Sequence, residues 1–292
     1  MATKTIQKIF RNQQPHWVGD GFPVRSLFSH FSARSAISPF LLLDYAGPHE
    51  FTPAASPRGV EQHPHRGFET VTIIYQGELE HRDSAGNRGA IGPGDVQWMT
   101  AASGVLHEEF HSERFAREGG TLEMVQLWVN LPAKVKMSPP RYQEILAGQI
   151  PTAPLENEAG IVRVISGEFG STKGPAKTFT PVNLWDMRLK ANRTTTLEIP
   201  EGFMAALVVQ RGALRLNDEE TLKAVDLALL SREGNRITVA AEEDSMALLL
   251  AGEPIDEPVA AQGPFVMNTQ AEIQQAIRDY QSGQLGRLGS SS

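Results

Sequence analysis

The sequence predicts an all-β protein built from two similar halves, and three observations carry that prediction. Short runs rich in β-branched, aliphatic and aromatic residues recur, interrupted about every 8–12 residues by Gly, Pro, Asn or Asp, the rhythm of a sandwich or barrel. The second half of the chain repeats the layout of the first. Helical periodicity is confined to one segment near the C-terminal end.

Taken in order, Phe40–Tyr45 and Phe68–Tyr75 read as strands, the second mixing Thr with aliphatic residues. Gly77 breaks the run, Leu79–Arg82 resumes it, and Asp83-Ser-Ala-Gly-Asn87 has turn chemistry. Asp95–Thr100, Leu106–Phe110 and Leu122–Asn130 complete the first half. Leu131–Gly160 holds Pro132, Pro139, Pro140, Pro151 and Pro154 without apolar periodicity, so it reads as the connection between domains. The expected division is therefore 1–135 and 136–292.

Strands return at Ile161–Ser166, Asn183–Leu189, Thr194–Ile199, Phe203–Gln210, Ala213–Leu216, Leu227–Leu230, Arg236–Ala240 and Ser245–Ala251. This half lacks ligand-type residues at the matching places, which favours a duplicated barrel without a metal over two unrelated β-domains. Thr269-Gln-Ala-Glu272 is a capping-box pattern, and Ile273, Ala276, Ile277 and Tyr280 follow at helical spacing. The spacing predicts one amphipathic helix near 269–282, docked on a barrel. The closing residues 289–292 read as an unstructured end.

Composition narrows the chemistry. The net charge of −7 disfavours direct nucleic-acid binding, and the basic residues are scattered. No apolar run approaches the ~20 residues that span a bilayer, and no secretory or transit pattern opens the chain. A soluble cytoplasmic protein is expected. With no cysteine, disulfides and thiolate metal sites are excluded, so any metal must sit on nitrogen and oxygen. All eight histidines, at 16, 30, 49, 63, 65, 81, 107 and 111, lie in the first half.

Two pairs among these point to a metal. In extended Gln62-His63-Pro64-His65, residues two apart face the same way, and the proline restricts His63 to extended geometry. Gly104-Val-Leu-His107-Glu108-Glu109 places an imidazole and a carboxylate two apart in the same manner. About three strands separate the pairs, so antiparallel neighbours can unite them. Three imidazoles and one carboxylate suit iron, manganese, nickel or copper with positions left for a small ligand. Spacing leaves Glu69 and His111 as competitors for the fourth ligand place, Glu69 reading better as an outer hydrogen-bond partner of an imidazole and His111 as a residue at the rim beyond the site. His81 reads as a strand-end polar residue, and His16, His30 and His49 as surface or loop groups. Of Trp98 and Met99, alternation sends one to the core. Asp95, after Gly94, reads as turn chemistry.

His63-X-His65 with Glu69, then Gly104-X-X-His107, resembles the two motifs of the cupin superfamily. More closely, His63-Pro-His-Arg-Gly-Phe-Glu-Thr-Val-Thr72, Gly94-Asp-Val-Gln-Trp-Met-Thr100, Gly104-Val-Leu-His-Glu-Glu109, Gln126-Leu-Trp-Val-Asn-Leu131 and the Phe265-Val-Met-Asn-Thr tail resemble pirin signatures. The likeness covers nearly the whole chain. It implies two tandem cupin-type barrels of the double-stranded β-helix or jelly-roll kind with the C-terminal helix. It also implies one divalent transition metal on His63, His65, His107 and Glu109. Fe²⁺ is expected, with Mn, Ni, Cu, Co and Zn as alternatives.

The same resemblance implies a metal-dependent oxidoreductase, a quercetin 2,3-dioxygenase acting on a small aromatic flavonol, with Glu109 as catalytic base. The alternative it implies is a non-catalytic metal- or redox-sensing regulator that binds a transcription factor or metabolic enzyme. A third reading leaves the metal only a structural role, which the open coordination disfavours.

Overall fold

A computed structural model describes residues 2–30 and 37–289. The strands up to residue 145 run β1 (Ile6–Phe10), β2 (Pro15–Val18), β3 (Phe22–Ser29), β4 (Phe40–Phe51), β5 (Gly59–His65), β6 (Phe68–Gln76), β7 (Leu79–Asp83), β8 (Arg88–Ile91), β9 (Val96–Thr100), β10 (Val105–His111), β11 (Gly120–Asn130) and β12 (Arg141–Ile145). Helix α1 (Glu113–Glu118) lies between β10 and β11. Beyond residue 150 come β13 (Thr152–Pro154), β14 (Gly160–Ser166), β15 (Glu168–Phe169), β16 (Thr172–Lys173), β17 (Val182–Leu189), β18 (Arg193–Glu198), β19 (Met204–Arg211), β20 (Ala213–Leu216), β21 (Glu220–Lys223), β22 (Leu227–Leu230), β23 (Arg236–Ala241) and β24 (Ser245–Gly252). A short hairpin, β25 (Ala260–Gln262) and β26 (Phe265–Met267), precedes α2 (Gln270–Gln281).

The chain folds into two compact units, each pairing a seven-stranded with a four-stranded antiparallel sheet. One unit takes residues 14–26, 41–147 and 255–292, with sheets ordered β12-β9-β6-β11-β4-β3-β2 and β5-β10-β7-β8. The other takes 1–13, 27–40 and 148–254, with sheets β1-β22-β19-β24-β17-β14-β13 and β18-β23-β20-β21. The division differs from a single boundary at 135. Both chain ends cross over, because β1 supplies the edge beside β22 and the C-terminal hairpin and helix join the histidine-bearing unit.

Part of the proline-rich segment also becomes a strand. β12 pairs with β9 from Arg141↔Thr100 to Ile145↔Val96, giving the first sheet its edge. Helix α2 forms as its sequence predicts, with the Thr269–Glu272 capping box closed in both directions. Its Ile273 and Ala276 pack with Leu106, Phe265, Met267 and Leu285. The buried Arg66–Asp279 ion pair, at 2.7 Å, anchors it beside the end of β5. The closing residues 290–292 lie outside the described residues, as do 31–36.

The corner after His65 needs glycine. Gly67 has φ +91°, and a Cβ there would lie 1.9 Å from the Val266 carbonyl oxygen. Lys136 fastens the same corner by donating to Gly67 O, Asn130 Oδ1 and Val266 O at 2.6, 2.7 and 2.9 Å. The direction in which β5 delivers its two histidines is thereby fixed by backbone contacts. No helix among the described residues is long and apolar enough to cross a membrane.

Candidate metal centre

The site is assembled by strand register. β10 pairs with β5 so that His107 stands opposite His63 and Val105 opposite His65. A bulge follows His107 and shifts the pairing to Glu109↔Val60. On its other side β10 pairs with β7, matching Glu109 with His81 and His107 with Asp83. Antiparallel pairing therefore collects side chains from three strands that lie far apart in sequence.

His63, His65 and His107 each offer a ring nitrogen within 4.8 Å of the others. Their ring centroids are 4.2 Å apart for His63–His107, 4.8 Å for His65–His107 and 4.9 Å for His63–His65. His63 is half-buried and its Nδ1 lies 2.8 Å from the Glu61 carbonyl, while His65 and His107 are buried. Glu109 belongs to a second, overlapping group with His81 and His107. Its Oε1 accepts from Gln97 Nε2 at 3.0 Å, and Gln97 Oε1 accepts in turn from the Tyr142 hydroxyl at 3.1 Å.

The electrostatics favour lone pairs over protons. Burial, then the neighbouring His63, holds His65 well below the usual imidazole range, against a raising contribution from the Pro264 carbonyl. Burial pushes His107 down in the same way, helped by His63, His65 and His81. Both imidazoles are therefore neutral at ordinary pH, the form a metal needs. His107 Nε2 and His65 Nδ1 are buried with no hydrogen-bond partner, which normally costs about 1–3 kcal/mol for each such atom. Three imidazoles, each with a ring nitrogen within 4.8 Å of the others', are what a divalent cation would satisfy, so the residues present fit such an ion.

Two expectations change. His81 is not a strand-end surface group: it is buried, stacks on Tyr142 at 5.0 Å, and its Nδ1 lies 3.3 Å from His107 Nδ1. The signal that could have found it is His81-X-Asp83, whose two residues share one face of β7. Glu69 is buried on β6, but its carboxylate accepts from Thr100 Oγ1 at 2.6 Å and lies 3.8 Å from Arg141, not from an imidazole. Burial raises it to about 7, against the lowering effect of its hydrogen bonds and Arg141.

The other residues fall into place around these. His111 sits among Phe22, Phe51 and Phe115, its Nε2 3.0 Å from the Gly21 carbonyl, so it belongs to an aromatic cluster. Trp98 and Met99 are both fully buried, because the faces of β9 are covered on both sides. Asp95 accepts from the Gly92 and Ala147 amides, the turn role its sequence implies. Phe68 and half-buried Trp128 pack together at 4.3 Å and flank His65.

Comparison with known proteins bears on this geometry. The family profile described as Pirin matches residues 21–129, and that of the pirin C-terminal cupin domain matches 184–286. The chain belongs to the pirin family. A Pseudomonas aeruginosa relative named "Putative quercetin 2,3-dioxygenase" is 57% identical over 97% of this chain and 99% of its own. A crystal structure of quercetin 2,3-dioxygenase from Acinetobacter baumannii superposes with TM-score 0.96 at 52% identity, covering 99% of this chain and 100% of its own. An Escherichia coli pirin solved in complex with nickel(II) shares the fold, with TM-score 0.62 at 19% identity over 83% of this chain and 96% of its own. Both units are thus cupin barrels of a pirin, with the imidazole cluster in the first.

Proposed function

We propose that this pirin holds one divalent metal on His63, His65, His107 and Glu109, and in that state opens a flavonol such as quercetin with dioxygen. The observation that carries the proposal is the partnerless, buried Nε2 of His107 in the middle of three imidazoles. The names of the 57% identical relative and the 52% identical structure supply the substrate class. Iron is the ion we favour; a nitrogen-rich set with one carboxylate also accepts Mn, Co, Ni, Cu and Zn.

A bound divalent ion would supply Lewis acidity toward a phenolic oxygen and a path for electrons between substrate and dioxygen. The chain's own residues do the rest. His63, His65 and His107 bind as neutral donors. Glu109, steadied through one oxygen by Gln97, would take the proton of the flavonol hydroxyl. Phe68 and Trp128 offer a flat apolar wall beside His65 against which an aromatic ring can lie. A cytoplasmic location suits this reading.

Oxygen uptake by iron-loaded protein supplied with quercetin tests it. Glu109→Gln should lower turnover roughly 10²–10⁴-fold while binding flavonol nearly as well, with metal occupancy measured on the same samples. Fully metallated wild type that leaves quercetin untouched in air would defeat the dioxygenase reading and favour the regulatory one.

A further inference from the structure

Behind His107 a chain of polar groups runs through His81 to Asp83. Asp83 Oδ1 accepts from the amides of Ala85 and Asn87, each at 3.0 Å, and from Asn87 Nδ2 at 3.1 Å. Its Oδ2 faces Asn87 Nδ2 at 2.9 Å and His81 Nε2 at 3.3 Å. On the other side of that ring, His81 Nδ1 faces His107 Nδ1 at 3.3 Å. His81 is held in plane by its stack on Tyr142, inclined by only 12°.

Donor and acceptor roles along this chain are not free. A carboxylate gathering three N–H donors is acceptor-only, so His81 Nε2 must carry the proton that points at it. In that tautomer His81 has a bare Nδ1, and the facing His107 Nδ1 is the N–H that completes the contact. Neutral His107 is left with a bare Nε2, the atom that is buried and partnerless. The opposite arrangement would set two bare nitrogens, His81 Nδ1 and His107 Nδ1, facing each other at 3.3 Å with no proton between them.

We infer that Asp83 and His81 are positioning residues that fix His107 in its Nδ1–H tautomer, so that its Nε2 is presented bare to the metal. This rests on the metal reading of His107 given above. It adds a device of this chain: the carboxylate that orients the ligand acts through an intervening imidazole rather than directly. It also assigns the overlapping His81–His107–Glu109 group to orientation, not to a second ion.

Histidine-selective ¹⁵N spectra of metal-free protein test the tautomer without recourse to activity, and Ni²⁺ titration tests its consequence. Wild type should show His107, assigned by comparison with His107→Ala, protonated on Nδ1. His81→Ala should shift His107 toward the Nε2–H form and weaken Ni²⁺ about 10–100-fold without abolishing binding. His81→Asn, whose side-chain oxygen can stand where Nδ1 stood, should restore most of the affinity and the tautomer, and it covers the case in which the alanine variant folds poorly. His107 found as the Nε2–H form in wild type, or unchanged in His81→Ala, would overturn the inference. Complete loss of Ni²⁺ from both His81 variants would make His81 a ligand and overturn it equally. Wild type that takes no Ni²⁺ yet shows the Nδ1–H tautomer would strike the metal reading and leave the relay standing.

Discussion

In the histidine-bearing barrel, β5 and β10 place His63 opposite His107; in the other, the equivalent strands β18 and β23 place Leu197 opposite Ile237 and Thr195 opposite Val239. The strand plan is otherwise the same, each seven-stranded sheet having one further edge strand, β12 beside β9 in one and β1, from the far end of the chain, beside β22 in the other. Leu197, Ile237 and Val239 join Trp185, Leu207, Leu249 and many others in a closely filled apolar interior. The first barrel instead buries His65, His81, His107, Glu69, Gln97 and Glu109. One backbone thus supports either a largely apolar core or one that gathers imidazoles and carboxylates, and the side chains of a few inward positions decide which. The polar interior is maintained by outer partners such as Gln97 and Asp83.

The difference predicts opposite responses to truncation. His107→Ala should abolish metal retention, as should His65→Ala, a loss of the whole bound fraction measured by elemental analysis after desalting. In the second barrel Leu249→Ala, at a fully buried site, should cost about 2–5 kcal/mol in chemical denaturation while the folded protein keeps its metal content. If Leu249→Ala emptied the metal site at unchanged stability, the division of labour between the barrels would be wrong.

The parts of this organisation visible in sequence are those whose signal is local. The central strands, the His63-X-His65 and His107-X-Glu109 pairs and the capped helix each follow from residue period, turn chemistry or a cap within a few positions. What sequence does not show depends on partners far along the chain. β1 pairs with β22, more than two hundred residues away, and β12 is a strand only because β9 offers it an edge. From sequence His81 reads as a polar strand end, because its role comes from β7 lying beside β10, which brings it to His107. Glu69 keeps the parity of the ligand residues but turns to Thr100, since β6 runs in the other sheet.

A smaller effect sharpens the same contrast at Glu69. Burial raises its carboxyl to about 7 in the folded protein, above the ordinary 4.5 of an exposed glutamate. Between those values the folded state holds a proton that the unfolded state releases, so this group's contribution to stability falls as pH rises through the window. Glu69→Gln should flatten that slope, read by comparing unfolding free energies at pH about 5 and about 8. An unchanged slope would mean that the Glu69 carboxyl is already ionised at the lower pH.

The smallest expected change is at Tyr142, whose hydroxyl donates to Gln97 and whose phenol burial raises above its ordinary value, keeping it a donor. Tyr142→Phe keeps the stack on His81 but frees Gln97, at a cost of about 1 kcal/mol. Metal should remain bound, with affinity lowered only several-fold; unaltered affinity in the Ni²⁺ titration would show that Gln97 needs no support from this side.

Elemental analysis of protein purified without an affinity-resin metal tests the central claim most directly. One divalent transition-metal ion per chain is expected in wild type and none in His107→Ala. Two tightly held ions per chain, or an ion retained by the His107 variant, would contradict it.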